Sequence, residues 1–138
     1  MRKILLVSHG EMAKGAVNSL TIFVPDAQQK VTAICAYTPD CPNPQDAIRA
    51  FFDSVSADDE VIAMSDVLFG SVNQYLLPYL SRPHTHIFAG FNFPMLLQLM
   101  ALPQEESLDD LHQLVQEGKD GIVYLNEYRF STDDIDDD

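Results

Sequence analysis

The sequence predicts an α/β fold: a single doubly wound, mostly parallel sheet of order 2-1-3-4 plus a short edge strand, with helices on both faces. Three observations predict it. Apolar runs of strand length at residues 3–10, 30–37, 60–66 and 86–91 alternate with segments of helical periodicity, the signature of strand–helix–strand units. The first and third runs end in polar residues, Ser8-His9-Gly10 and Ser65-Asp66, as strands do when they open into a ligand crevice. The chain has 138 residues, 46% of them hydrophobic, which suits one body with its own core.

The elements follow in order. Lys3-Ile4-Leu5-Leu6-Val7 reads as a strand buried on both faces, and Gly10 turns the backbone into a helix over 11–24 whose inner face is Ala13, Ala16, Val17, Leu20 and Phe23. His9 then stands at the positive end of that helix. Residues 30–37 give the second strand; Asn43 caps a second helix with Pro44 at its first position and Asp46 as capping-box partner. Residues 60–66 give the third strand, and Gly70-Ser71 leads into a helix, with Ser71 as cap, that Pro78 should kink or shorten. The fourth strand is 86–91, Asn92 caps a helix over 95–102, and Ser107 with Asp110 opens another that carries Leu108, Leu111, Leu114 and Val115 and ends at Gly118. Residues 122–125 read as the short fifth strand. The body is taken as 1–126, and the aspartate-rich 127–138 as an acidic tail or linker.

With strands one and three adjacent, His9 and Asp66 end about 4.8 Å apart. A carboxylate there would hold one imidazole nitrogen as N–H, leave the other with a lone pair, and offset the charge formed when the ring is modified. Amides around Gly10 and at Gly70-Ser71 would form two anion-friendly rims, so a phosphoryl group is the fitting electrophile. No P-loop or metal-binding carboxylate cluster is present to manage a nucleotide, and neither cofactor nor metal is expected. Reversible phosphorylation of His9 by another protein is the simplest chemistry left.

A formal charge of -13 argues against nucleic acid and anionic membrane as partners and favours a basic protein. With no signal peptide and no run of membrane-spanning length, the expected location is cytoplasmic. His84, His86 and His112 read as non-catalytic, and Cys35 and Cys41 as free thiols.

These residues carry a family likeness. The pieces I-L-L-V-S-H-G with E-M-A-K-G behind it, Ser65-Asp66, the Gly70-Ser71 turn and A-G-F-N-F-P-M-L at 89–96 resemble the enzyme IIA domains of the mannose-fructose-sorbose family of the bacterial phosphoenolpyruvate-dependent sugar phosphotransferase system. The resemblance implies that His9 takes a phosphoryl group from the histidine-containing phosphocarrier protein HPr and passes it to a IIB component, that Asp66 is its partner, and that the protein is a homodimer. The short fifth strand at a sheet edge would suit such pairing. The sequence departs from the family after the aspartate, where threonine, tryptophan, glycine, glycine, serine and proline are usual and Val67, Leu68, Phe69, Gly70, Ser71 and Val72 stand here.

Other readings of the same motif differ in what they need. A phosphotransfer subunit of dihydroxyacetone kinase would use the same His-Gly pair. A histidine phosphatase wants an arginine where Ser8 stands. A non-enzymatic regulatory or receiver-like sensing domain wants an acidic pair after the first strand, which His9-Gly10 does not supply.

Overall fold

The structure is a computed structural model that describes residues 1–103 and 111–130. Four parallel strands, β1 (Arg2–His9), β2 (Val31–Ala36), β3 (Glu60–Ser65) and β4 (Thr85–Ala89), form one sheet in the order β2-β1-β3-β4. The helices are α1 (Met12–Leu20), the single turn α2 (Ala27–Lys30), α3 (Pro44–Ser54), α4 (Ser71–Leu76), α5 (Phe93–Ala101) and α6 (His112–Asp120). Among the described residues no helix is long and apolar enough to cross a membrane.

The unbroken apolar run of β1 is explained by its central place. Ile4 and Leu6 face a cluster with Ala13, Val17 and Leu20 of α1, Met95, Leu96 and Leu99 of α5, and Leu114 of α6. Leu5 and Val7 face the opposite cluster with Ile48, Phe51 and Phe52 of α3 and Val72 and Leu76 of α4. Leu5, Leu6 and Val7 are fully buried, and each such side chain contributes on the order of 1.5–3 kcal/mol of burial. Period-two alternation thus feeds two cores from one strand.

Local signals act as expected at several ends. The Asn43 side chain accepts the Asp46 N–H (3.2 Å) with Pro44 opening α3, and Pro78 turns the end of α4 into a 3-10 segment, Leu77–Ser81. Asn92 accepts the Met95 N–H (3.2 Å) and donates through Nδ2 to the Gly118 carbonyl (2.7 Å), tying the start of α5 to α6.

Four expectations are corrected. The first helix stops at Leu20, because Thr21–Val24 form turns in which Ile22 and Phe23 face solvent; the separate turn α2 precedes β2. Gly70, not Ser71, is the N-cap of α4. The last helix runs past Gly118, whose bare Cα lets α6 approach Asn92 and Met95 closely. Residues 122–125 form no strand: β propensity alone makes no ladder, and this exposed segment lies beside no sheet edge of its own chain. The capping box at Ser107 and Asp110, Leu108, and the acidic stretch from residue 131 onward lie outside the described residues.

Replacing Asn92 by alanine removes the α5 cap and the donor to Gly118. Chemical denaturation of Asn92→Ala should show a loss of about 1–3 kcal/mol. An unchanged midpoint would show that these bonds contribute nothing net.

Candidate functional site

β1 releases His9 at the carboxyl edge of the sheet, and Asp66 is the first residue past β3. Val7 pairs with Ser65, so Asp66 stands level with Ser8, one step short of His9. Its carboxylate closes that step. Oδ2 accepts the His9 backbone N–H at 2.8 Å and lies 3.0 Å from His9 Nδ1, with Oδ1 at 3.3 Å from the same nitrogen. An ionised carboxylate only accepts, so Nδ1 donates to it, and in the neutral ring the lone pair is on Nε2. The His9 side chain is 40% exposed and that of Asp66 12%, so the orienting charge is sheltered while the ring reaches solvent.

The turn into α1 is fixed from below. Ser8 is fully buried; its Oγ accepts the Ala13 N–H (2.7 Å) and donates to the Gly10 carbonyl (3.1 Å), doing the capping that Glu11 leaves undone. Gly10 has φ +66°, a conformation that costs an L side chain about 1–2 kcal/mol. Its N–H donates to the Ala36 carbonyl (2.9 Å), so Gly10 serves the site by turning the chain while its own amide is paired with β2.

Gly70 is needed for close approach. A Cβ there would lie 2.7 Å from His9 Cε1 and 2.9 Å from Val67 Cγ1, so the imidazole packs directly on the bare backbone of the β3–α4 loop. Ser71 follows as the first residue of α4, whose opening amides have no intrahelical acceptor. The loop before them is apolar and open: Val67, Leu68 and Phe69 are all exposed, Phe69 at 88%.

Tyr37 belongs to the site and is missed by the sequence reading. It follows β2, has φ +64°, and places its ring 5.7 Å from the His9 ring at a tilt of 38°. Its hydroxyl is 2.6 Å from Ser71 Oγ. Interaction with that hydroxyl also holds the Tyr75 phenol above its ordinary pKa. A usable signal existed in topology: β2 lies beside β1, so whatever follows its carboxyl end borders the same crevice. In sequence the tyrosine reads only as a strand residue.

The structure therefore brings His9, Asp66, Gly10, Gly70 and Ser71 to one edge. The other histidines lie elsewhere. His84 precedes β4 at φ +58°, His86 pairs with Ile62 within β4, and His86 shares a groove of about 390 Å³ with His112 of α6. Among the described residues no cluster of three or more His, Cys, Asp or Glu could hold a metal. Cys35 and Cys41 are free thiols, and burial pushes the Cys41 thiol up, away from thiolate chemistry. Chemically, the assembly is an imidazole held by a carboxylate at one nitrogen and not at the other, with the Tyr37–Ser71 hydroxyl pair near it, an arrangement suited to nucleophilic attack.

Comparison with known proteins identifies the family. The family model described as PTS system fructose IIA component, PTS being the phosphotransferase system, matches residues 3–116. A Klebsiella pneumoniae structure assigned as a phosphoenolpyruvate-dependent sugar phosphotransferase system permease is 28% identical, with a TM-score of 0.82, over 91% of this chain and 92% of that one. The PTS IIA protein associated with the fucose utilization operon of Streptococcus pneumoniae is 26% identical, with a TM-score of 0.76, over 91% and 94%. The mannose/sorbose-specific IIA subunit of Enterococcus faecalis shares the fold at 20% identity and a TM-score of 0.76, over 94% and 98%. No curated protein matches the chain. A family match across 3–116 takes in all four strands and both strand ends that carry His9 and Asp66, and on that basis the chain belongs to the PTS fructose IIA component family.

Proposed function

We propose that this protein is a phosphocarrier in which His9 accepts a phosphoryl group from HPr and passes it to a IIB component, in the cytoplasm, for sugar uptake and phosphorylation. One observation carries the reading: the Asp66 carboxylate lies 3.0 Å from Nδ1 of a ring that is 40% exposed, which leaves Nε2 as the nitrogen it does not hold. The Nε2 lone pair attacks phosphorus in line, the donor's nitrogen–phosphorus bond breaks, and its electron pair stays on the donor ring. The His9 ring gains positive charge, which the Asp66 carboxylate offsets. Transfer to IIB repeats the exchange with His9 as the leaving group. The backbone at Gly70 and the amide and hydroxyl of Ser71 are the proposed contacts for phosphoryl oxygens.

The openness of the site suits partners that are themselves proteins. A charge of -13 favours a basic partner, with attraction decaying over about 8 Å at physiological salt. The protein is also proposed to act as a homodimer. Among the described residues β4 ends the sheet with no strand on its outer edge, and Ile122, Val123, Tyr124 and Leu125 are all exposed; a strand run from a second copy would satisfy both.

Incubation with phosphoenolpyruvate, enzyme I and HPr should add one phosphoryl group by intact mass, acid-labile and base-stable, and His9→Ala should abolish it. Labelling that persists in His9→Ala removes the reading. Asp66→Ala should slow transfer roughly 10- to 100-fold in a protein that still folds, with a lowered melting temperature because the carboxylate accepts both the His9 N–H and Nδ1. Rates equal to wild type would show that the pairing is not used.

Gly70→Ala should displace the imidazole. Its Cβ meets His9 Cε1 at 2.7 Å, so the phosphorylation rate should fall by at least about tenfold, and NMR of the His9 ring should show altered shifts. An unmoved ring with an unchanged rate would mean that the loop yields instead. Sedimentation should give twice the 15.4 kDa chain mass; a monomer at micromolar concentration rules out the dimer.

A further inference from the structure

We propose that Tyr37 is a positioning residue for phosphoryl transfer: its hydroxyl orients the Ser71 hydroxyl toward the phosphoryl group received by His9. This rests on the reading of His9 as acceptor and goes beyond it by assigning a role to a residue on a third strand end. The Tyr37–Ser71 contact, at 2.6 Å, is a short O–H···O hydrogen bond, and either oxygen could donate. The acidities decide between them. A phenol is the stronger acid, so Tyr37 donates and Ser71 Oγ accepts. A hydroxyl has one proton and two lone pairs, so accepting leaves the Ser71 proton free to swing outward to an anionic oxygen.

The backbone provides a second, independent observation. Tyrosine is unsuited to φ +64°, yet the turn over-determines it: the Tyr37 N–H donates to the Cys41 carbonyl (3.0 Å), the Cys41 N–H to the Thr38 carbonyl (3.0 Å), and Thr38 Oγ1 to the Cys35 carbonyl (2.8 Å). That conformation aims the side chain back across the end of β1, where the ring borders His9 and the hydroxyl reaches α4. Gly70 flanks the imidazole from the loop that carries Ser71. Strand β2 thus reaches the phosphoryl site through one side chain.

Transfer from phosphorylated HPr should be measured for wild type, Tyr37→Phe, Ser71→Ala and the double variant, with kcat and KM for the donor separated. Tyr37→Phe keeps the ring and removes only the oxygen. Its kcat should fall about 5- to 20-fold with KM unchanged, and the double variant should be no slower than Ser71→Ala alone. A Tyr37→Phe protein with wild-type kcat overturns the proposal, as does a double variant whose losses multiply, or an effect confined to KM, which would make Tyr37 a partner contact. Ser71→Ala at the wild-type rate also overturns it, independently of how Tyr37→Phe folds, because no hydroxyl would then need orienting. If wild type itself takes no phosphate, the acceptor reading falls and takes this proposal with it.

Discussion

A single carboxylate oxygen holds one residue twice. Asp66 Oδ2 accepts both the backbone N–H and the Nδ1–H of His9, at 2.8 and 3.0 Å. The first bond completes a ladder that has run out. Successive N–H groups along β1 point alternately to β2 and β3; the Gly10 N–H finds Ala36 of β2, whereas the His9 N–H faces β3 beyond its last residue, Ser65. The Asp66 side chain stands in for the missing carbonyl. The second bond then fixes the ring against that anchored backbone, so tautomer, orientation and strand end are set by one charged acceptor. Charge-assisted bonds are roughly twice as strong as neutral ones, which suits an ordering device that must work partly exposed.

The sheet order makes this geometry available. Placing β1 between β2 and β3 brings three carboxyl ends together: His9 from the middle, Asp66 from one side, Tyr37 from the other. Burial of Leu5, Leu6 and Val7 on both faces holds the middle strand, so side chains at its end have little freedom to drift. Conserving register to within one residue matters here. A slip of one along β1 would exchange Ile4 and Leu6 with Leu5 and Val7 between the two cores and turn the imidazole to the other face.

Much of this was legible in the sequence because each local signal agreed with the global one. Apolar runs gave four strands, the usual doubly wound arrangement supplied their order, and caps at Asn43 and Asn92 gave helix starts, since a side-chain oxygen and an N–H three residues on are local partners. His9 and Asp66 were found because both follow strand ends. Illegible features depended on contacts far along the chain. Tyr37 meets Ser71 across 34 residues, and its positive φ is set by a turn closed at Cys41, so neither leaves a periodic trace. The fifth strand was over-read for the converse reason: Ile122-Val123-Tyr124-Leu125 has strand composition, but composition does not supply an edge to pair with.

A carrier of the kind proposed also has to let go. Guanidinium forks would hold a phosphoryl group through paired bonds between opposite charges, whereas a hydroxyl or amide gives its charged oxygens a single bond of about 1.5–3 kcal/mol. Here Arg2 and Arg82 sit at the amino edge of the sheet, engaged with Glu60 and the Pro103 carbonyl and with the Ser56 and Asp59 carbonyls respectively. Beside the imidazole stand Tyr37, whose hydroxyl meets Ser71, and the bare backbone of Gly70. In the proposed carrier these donors would ease the arrival of charge, while Asp66, held against the ring, would repel phosphate and stabilise the imidazole. In the proposed carrier a group so held would lack the bidentate grip of a guanidinium fork, which favours passing it to the next protein.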